Sequence, residues 1–592
     1  MHTFHIPVLG LGFSVDTPLK VARYGISSVV SIVDDELTER MREYHSVQYG
    51  LPYTPILKNS TDHRARRITA YLNLLNHLVQ QQFNALKQQP FGEGTDIDKY
   101  FNLLPETSPL KQYYLKMLEM TEPQRKALMQ DKLRESMQPG SIDVNIMSKV
   151  DKVNYDKHGH SIGDIYTDAL AALRGFALSD VRSSVTLSAG MNPKLYSYLE
   201  NFDCFFPDAD GIIQKKVILK VSDYRSALIQ AKFLAKKGIW VHEFRIESGL
   251  NCGGHAFATD GLLLGPILEE FKQKRKEMKN ELQDIYFPAL AAKDCKYVSV
   301  PAQRVSVQGG IGTAYEDDFL RCYYQLDATG WGSPFLLVPE ATNVDNDTLQ
   351  NLATASKDDF YVSAASPLGI LFNNFRKSTA ELLRVQRMEK GRPGSPCTKK
   401  FLVTNTEFTE QPICTASRQY QHLKIEQLQN AGLEPTELQN QIDTITEKIC
   451  LCEGLCTSAY IKNDMLHRRE SKAVAICPGP NIAYFSGIYS LREMVNHIYG
   501  KLNLLANVSR PNMFINELNL YIDHLKKDMA AHANTIDIKK KNYLAKFKTQ
   551  LTTGIDYYKE LIPTLTNQTI EYIDEMKHNL LACELRLNAM QI

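Results

Sequence analysis

Eight short apolar runs, several of them β-branched, lie near residues 6, 29, 144, 186, 219, 243, 306 and 335, and several of them are followed by stretches with helical spacing. Strands alternating with helices pair in parallel through helical crossovers. Eight of them favour a closed sheet over an open one, so the sequence predicts an α/β fold, a (β/α)8 TIM barrel. His5 to Leu11 reads as the first strand and closes in Gly10-Leu11-Gly12. Thr17-Pro18 then reads as a helix start, with Thr17 as the cap. Val217 to Val221 reads as a strand, and Ser222 as the cap of a helix whose buried stripe is Tyr224, Ala227, Leu228, Ala231 and Leu234.

Two regions do not read as barrel. From about Asp34 to Pro139 helical spacing dominates, as in Ile68, Tyr71, Leu72, Leu75, Leu78 and Val79, with breaks near Pro90, Pro105 and Pro123. Beyond Lys377 the chain is polar and irregular up to Arg418, then largely helical, with stripes such as Phe514, Leu518, Tyr521, Ile522 and Leu525. The expected organisation is a barrel from residues 1–35 and 141–377, a helical insertion at 36–140 and a mostly helical C-terminal region at 378–592. The helical regions are expected to carry protein contacts or oligomerisation. A net charge of +1 gives a nucleic-acid partner no support. No apolar run reaches the roughly 18 residues of a membrane span. The N-terminus reads as a core strand, so the expected location is cytoplasmic and the eleven cysteines are expected to be thiols.

The chemistry concentrates in SGLNCGGHAF, Ser248 to Phe257. A strand ending in Gly253-Gly254 lets backbone approach a flat ligand, and His255 then faces that ligand. VQGGIGT, with Gly309, Gly310 and Gly312, and GWGSPF, with Gly332 and Ser333, follow two later strands. In a barrel those two loops are where phosphate sits, bound by main-chain N–H groups and a helix N-terminus. The pattern suggests a phosphate-bearing cofactor and a proton-transfer residue facing it.

SGLNCGGH resembles the Gly-Gly-His segment of the nitronate monooxygenases, once called 2-nitropropane dioxygenases. HIPVLGLGFSVDTPLKVARYG, DVNIM, SAGMNP, VILKVSDYRSALIQAKFLAKKG, VQGGIGT and GSPF resemble further segments of that family in the same order. The resemblance implies FMN as cofactor and an oxidoreductase that oxidises a nitronate or related small carbon acid. On it, Gly10, Leu11, Gly12 and Phe13 line the flavin, Asn145 and Lys220 bond its ring edge, and Gly253 and Gly254 allow close approach. Gly309, Gly310, Gly312, Gly332 and Ser333 hold the phosphate, and His255 is the general base, a role imidazole suits near neutral pH. The sequence departs from the family at Asn251, where an acidic residue is expected, at Cys252 in place of alanine, and at Trp331, a bulky residue before the phosphate glycine.

Two other readings compete. Flavin-dependent enoyl-acyl-carrier-protein reductases share the Gly-Gly-His strand end; there NAD(P)H is a second cofactor and the substrate is an acyl thioester. The other is a non-catalytic barrel scaffold. Cys450, Cys452 and Cys456 in CLCEGLC, preceded by Cys397 and Cys414, are weak candidates for a metal; their spacing is not that of a ferredoxin or zinc ribbon. Buried free thiols are the plainer reading of the cluster.

Overall fold

A computed structural model of the chain describes residues 1–156, 158–188, 190–256, 260–295, 299–531, 537–565 and 568–591. Phe257 and Ala189, which belong to two of the motifs above, lie outside the described residues.

Among the described residues, β1 (Phe4–Ile6), β2 (Ser27–Ser31), β3 (Ile142–Met147), β4 (Ser184–Ser188), β5 (Lys216–Val221), β6 (Val241–Glu247), β7 (Arg304–Gln308) and β8 (Ala328–Gly330) form one closed parallel barrel. Closure runs through Phe4 opposite Thr329 and His5 opposite Gly330. The strands bury Val144, Ile146, Val185, Leu219, Phe244, Ile246 and Val307. β-branched and aromatic side chains of this kind fill a pleated surface well. The barrel expected from the alternation of strands and helices is the fold the chain adopts.

Several local expectations need correction. The eighth strand is Ala328–Gly330, not a run near residue 335; Ser333–Leu337 is a 3₁₀ helix with Pro334 in its first turn. Proline has no N–H for a sheet ladder and a φ suited to a helix start, so the apolar run after it coils. β1 stops at Ile6, well short of Leu11. Thr17 is not the cap of its helix; Asp16 holds that position, and the Thr17 hydroxyl donates to the Ala341 carbonyl at 2.7 Å. Asp223, rather than Ser222, caps the helix Tyr224–Ala235 by accepting from Ser226 N–H. Within the stretch read as irregular, Thr379–Glu389 is a helix. Only Glu381 of it is buried, so no apolar stripe marks it in the sequence.

Between β2 and β3 the helices Asp35–Gln48, His63–Lys87, Asp96–Leu103, Pro109–Glu119 and Pro123–Ser136 follow one another. The long one packs closely on Asp168–Ala177: a Cβ on Gly175 would lie 2.8 Å from the Ile68 Cβ. The C-terminal region folds back over the C-terminal rim of the barrel. Gly12 N–H donates to Leu455 O at 2.9 Å, which seats the helix Leu451–Lys462 on the loop after β1. Glu517, on the helix Met513–Ala531, accepts from Gly249 N–H (2.6 Å), Leu264 N–H (2.7 Å) and the Ser248 hydroxyl (3.0 Å). The loop after β6 is thus fixed by a buried carboxylate nearly 270 residues away in the chain.

Candidate active site

Gly10, Leu11, Asn145, Lys220, Gly253, Gly254 and His255 all line one cavity of about 150 Å³ at the mouth of the barrel. They come from the loop after β1, from β3, from β5 and from the segment after β6, the usual place for a barrel's chemistry. The remaining wall is mainly apolar, with Val33, Met147, Phe372, Leu402 and Leu455. Gly12 and Phe13 do not reach it. A Cβ on Gly12 would meet Leu455 O at 2.9 Å, and Phe13 is fully buried in the core.

The Gly-Gly-His segment runs between two other chain segments. Gly254 N–H donates to Cys477 O (2.8 Å), Asn373 N–H to Gly254 O (2.9 Å), and Ala256 N–H to Leu371 O (2.8 Å). Gly253 (φ +118°) faces Cys477, whose carbonyl a Cβ would approach to 2.3 Å. Gly254 (φ +82°) faces the other way: a Cβ there would meet nothing within 4 Å. Bare backbone at Gly254 therefore fronts the cavity. His255 Nε2 bonds Ser366 Oγ at 2.7 Å, and its ring lies edge-on to Phe372. Burial, and then the positive charges of Lys220 and Lys149, push its pKa down to about 4. The imidazole is neutral at pH 7, and the direction of the Ser366 bond decides which of its nitrogens carries the proton.

Lys220 Nζ donates to Glu247 Oε2 at 2.6 Å, and Glu247 Oε1 accepts from Gln308 at 2.8 Å. The cation expected beside a ligand is present, but it is paired. Asp34, just past β2, also lines the cavity; it accepts from Lys399 Nζ (2.8 Å) and from the Cys456 thiol (3.3 Å), while Lys399 also reaches the Tyr460 hydroxyl (3.2 Å). Asp34, Ser366 and Lys399 are site residues that the sequence reading missed. Asp34 carries a signal, being an acid at a strand's C-terminal end. Ser366 and Lys399 carry none, because each reaches the site from a distant loop. Of the cysteine cluster, Cys452 touches the cavity and Cys456 joins the Asp34 group. Among the described residues no group of three or more His, Cys, Asp or Glu side chains is placed to hold a metal ion.

The two glycine turns after β7 and β8 both pack on Asn251-Cys252, but neither opens onto the cavity. A Cβ on Gly309 would meet Asn251 Cα at 2.7 Å, and one on Gly332 would meet Cys252 Cβ at 2.6 Å. Gly312 N–H, expected to bind phosphate, donates to Glu316 Oε2 at 2.8 Å. Glu316 Oε1 accepts in turn from Arg510 Nη1 and Met513 N–H, both at 2.7 Å. Arg510 Nη2 donates to Gly310 O (2.6 Å), and its guanidinium would lie 2.5 Å from a Cβ on Gly312. The Ser333 hydroxyl donates to Cys252 O (2.9 Å) and accepts from Gly479 N–H (2.7 Å).

The fit of FMN can be judged from these bonds. Of the residues assigned to its ring, Gly10, Leu11, Asn145, Lys220, Gly253 and Gly254 converge on one cavity with bare backbone at Gly254, while Gly12 and Phe13 do not. Two of the groups assigned to its phosphate are already used: the Gly312 amide is bonded to a carboxylate and the single O–H of Ser333 is donated to Cys252 O, with Arg510 and Gly479 packed against them. Glu316 holds the place a phosphate oxygen would take at Gly312, and Arg510 already balances its charge.

No protein-family model matches the chain, and no curated protein matches it. Among solved structures it is similar to FabK from Thermotoga maritima, at 13% identity over 69% of this chain and 85% of that one, with a TM-score of 0.31. It is also similar to the enoyl reductase domain of MlnA from the macrolactin biosynthesis cluster of Bacillus amyloliquefaciens, at 13% identity over 74% and 89%, with a TM-score of 0.33. At that level of similarity neither bears on the chemistry of the site.

Proposed function

We propose that the barrel mouth is the active site of an enzyme that removes a proton from a small, weakly polar carbon acid, with His255 as the base. The observation that carries this reading is the convergence of seven residues from four chain segments on one cavity that holds a neutral imidazole. Lys220 and the Asn145 amide stand on the same cavity as hydrogen-bond donors for the negative charge that deprotonation creates. The cavity's 150 Å³ is about half the roughly 300 Å³ at which ligand pockets usually begin, so the substrate is small. The test is proton exchange of nitroethane and of acetoacetate with D2O, followed by NMR. Exchange that is catalysed by the chain and lost in His255→Asn is the expected result; exchange that survives the substitution removes His255 from the role.

The oxidoreductase readings, nitronate oxidation or NAD(P)H-dependent reduction of an enoyl thioester, use the same cavity. One observation favours them: six of the eight residues assigned to a flavin ring, all but Gly12 and Phe13, line that cavity around an open Gly254 face. Against them stands the filled phosphate seat. An absorption spectrum of the purified chain separates the readings. Flavin bands that persist through gel filtration establish the oxidoreductase, and a colourless protein leaves proton transfer.

A further inference from the structure

We propose that Cys397 and Cys414 form a redox-active dithiol that exchanges with small anionic disulfides, at a site separate from the barrel mouth. The two side chains line the same groove, and each is the largest single influence on the other's titration. They lie on neighbouring loops tied together on both sides: Ser395 N–H donates to Ala416 O (3.0 Å) and Arg418 N–H to Ser395 O (2.8 Å) on one side, and Asn405 and Ile413 exchange two backbone bonds (3.1 and 2.8 Å) on the other. The pair is therefore held together by backbone. Cys397 is half-buried and Cys414 buried, so Cys397 is the more accessible of the two.

Both thiols open on a groove of about 900 Å³ that shares no lining residue with the barrel-mouth cavity. Arg392, Lys400 and Arg418 line it together with His422, and no carboxylate does. Three cations unopposed by acids fit a ligand that carries carboxylates. The sulfurs are differentiated for exchange. The Cys414 side chain, then the Lys400 N–H and the nearby lysine charges, hold the Cys397 thiol at about 7, against burial. A lowered thiol pKa raises the share of thiolate, the nucleophilic form, at neutral pH. Cys414 is pushed far up, first by the Cys397 side chain, then by burial and by the Cys397 charge.

The exchange balances as follows. The Cys397 thiolate attacks one sulfur of the disulfide, the S–S bond breaks, and the departing thiolate takes a proton from solvent. Once Cys397 is in a mixed disulfide its charge is gone, so two of the four causes that keep Cys414 protonated are gone too. Cys414 loses its proton to solvent, attacks the Cys397 sulfur and expels the second thiolate. The pair has lost two electrons, and the small disulfide has become two thiols.

The test uses the reduced full-length chain, with oxidised glutathione as the anionic probe and cystamine as a cationic one. Mass spectrometry of peptides reads which cysteines react. The expected first product is a Cys397–Cys414 disulfide, formed at least about tenfold faster from glutathione disulfide than from cystamine at low ionic strength, with the ratio falling as salt screens the groove. Cys414→Ser is expected to stop at a mixed disulfide on Cys397, and Cys397→Ser to leave Cys414 unmodified. The wild-type peptide map stands even where a serine variant fails to fold. First reaction at the exposed Cys322, equal rates with the two probes, or stoichiometric zinc or iron that is lost in Cys397→Ser overturns the proposal.

Discussion

Glu316 and Arg510 form an ion pair of 2.7 Å with their side chains only 1% and 4% exposed, at the turn where a barrel of this kind would grip a phosphate. The carboxylate occupies the Gly312 amide as a phosphate oxygen would, and the guanidinium neutralises it from the far end of the chain. Removing one member of a buried pair strands the other charge, at a cost of about 3–5 kcal/mol. Arg510→Met is therefore expected to destabilise the chain by that order in thermal or urea unfolding, and Glu316→Gln combined with Arg510→Met by less than the sum. A double mutant no better than additive would mean that the pair is not coupled.

The same geometry predicts flavin preference. With the phosphate seat closed, FMN is expected to bind no more than about threefold tighter than riboflavin, since a phosphoryl group that finds no donors adds no affinity. Fluorescence titration of the two flavins measures the ratio. FMN that co-purifies, or binds about a hundredfold tighter, would show that the 477–510 region moves away to admit it.

The barrel was legible in the sequence because its strands are compact apolar runs separated by helices, and Gly10, Leu11, Asn145, Lys220, Gly253, Gly254 and His255 stood out because each lies late in a strand or in the segment after one. Ala328-Thr329-Gly330 was not read as the last strand because three residues give no periodicity, while Phe335-Leu336-Leu337 imitates one. The phosphate glycines were placed on the right turns but given the wrong neighbour. A glycine that admits a phosphate and a glycine that admits Asn251 or Arg510 look the same in one dimension. Arg510 lies about 200 residues from Gly310, and nothing local announces that they meet.

His255 contributes to the pH behaviour alongside His2, His5 and His242, which burial pushes lower still, to about 3. The His255 pKa falls from 6.5 to about 4 on folding, chiefly through burial. Between those values the unfolded chain binds a proton that the folded chain refuses. The contribution is fully present above pH 6.5, is lost as the pH falls, and is gone near 4. Urea midpoints are expected to drop across that window and to drop less in His255→Asn. Catalysed proton exchange is expected to rise with pH through about 4 to 5 and stay level around neutrality; a midpoint near 6.5 would mean that the imidazole is not buried as described.

Lys220 and Glu247 provide an independent control on that imidazole. After burial, the Lys220 charge is the next cause holding His255 down. Lys220→Met is expected to raise the pKa of His255 and, by removing a donor for developing negative charge, to slow exchange by about 10²–10³. Glu247→Gln leaves the ammonium unpaired and is expected to lower the His255 pKa further. NMR titration of the His255 ring reads both shifts. Identical shifts in the two variants would mean that the ion pair and the imidazole are uncoupled.

Gly253 and Gly254 are neighbours with opposite tolerances. At Gly253, φ is +118° and a Cβ would lie 2.3 Å from the Cys477 carbonyl, so alanine there must push apart the segment that covers the site. Strain and overlap together put the cost on the order of 3 kcal/mol, with a clear loss of melting temperature. At Gly254 the φ of +82° costs an L-residue on the order of 1 kcal/mol, and the methyl group enters open space on the cavity side. Gly254→Ala is expected to melt within a few degrees of the wild type while losing most of its catalysed proton exchange, because the methyl takes room in a cavity of only 150 Å³. Melting curves and D2O exchange on the two variants decide the matter. If Gly254→Ala folds and exchanges at the wild-type rate, the substrate does not lie against that backbone.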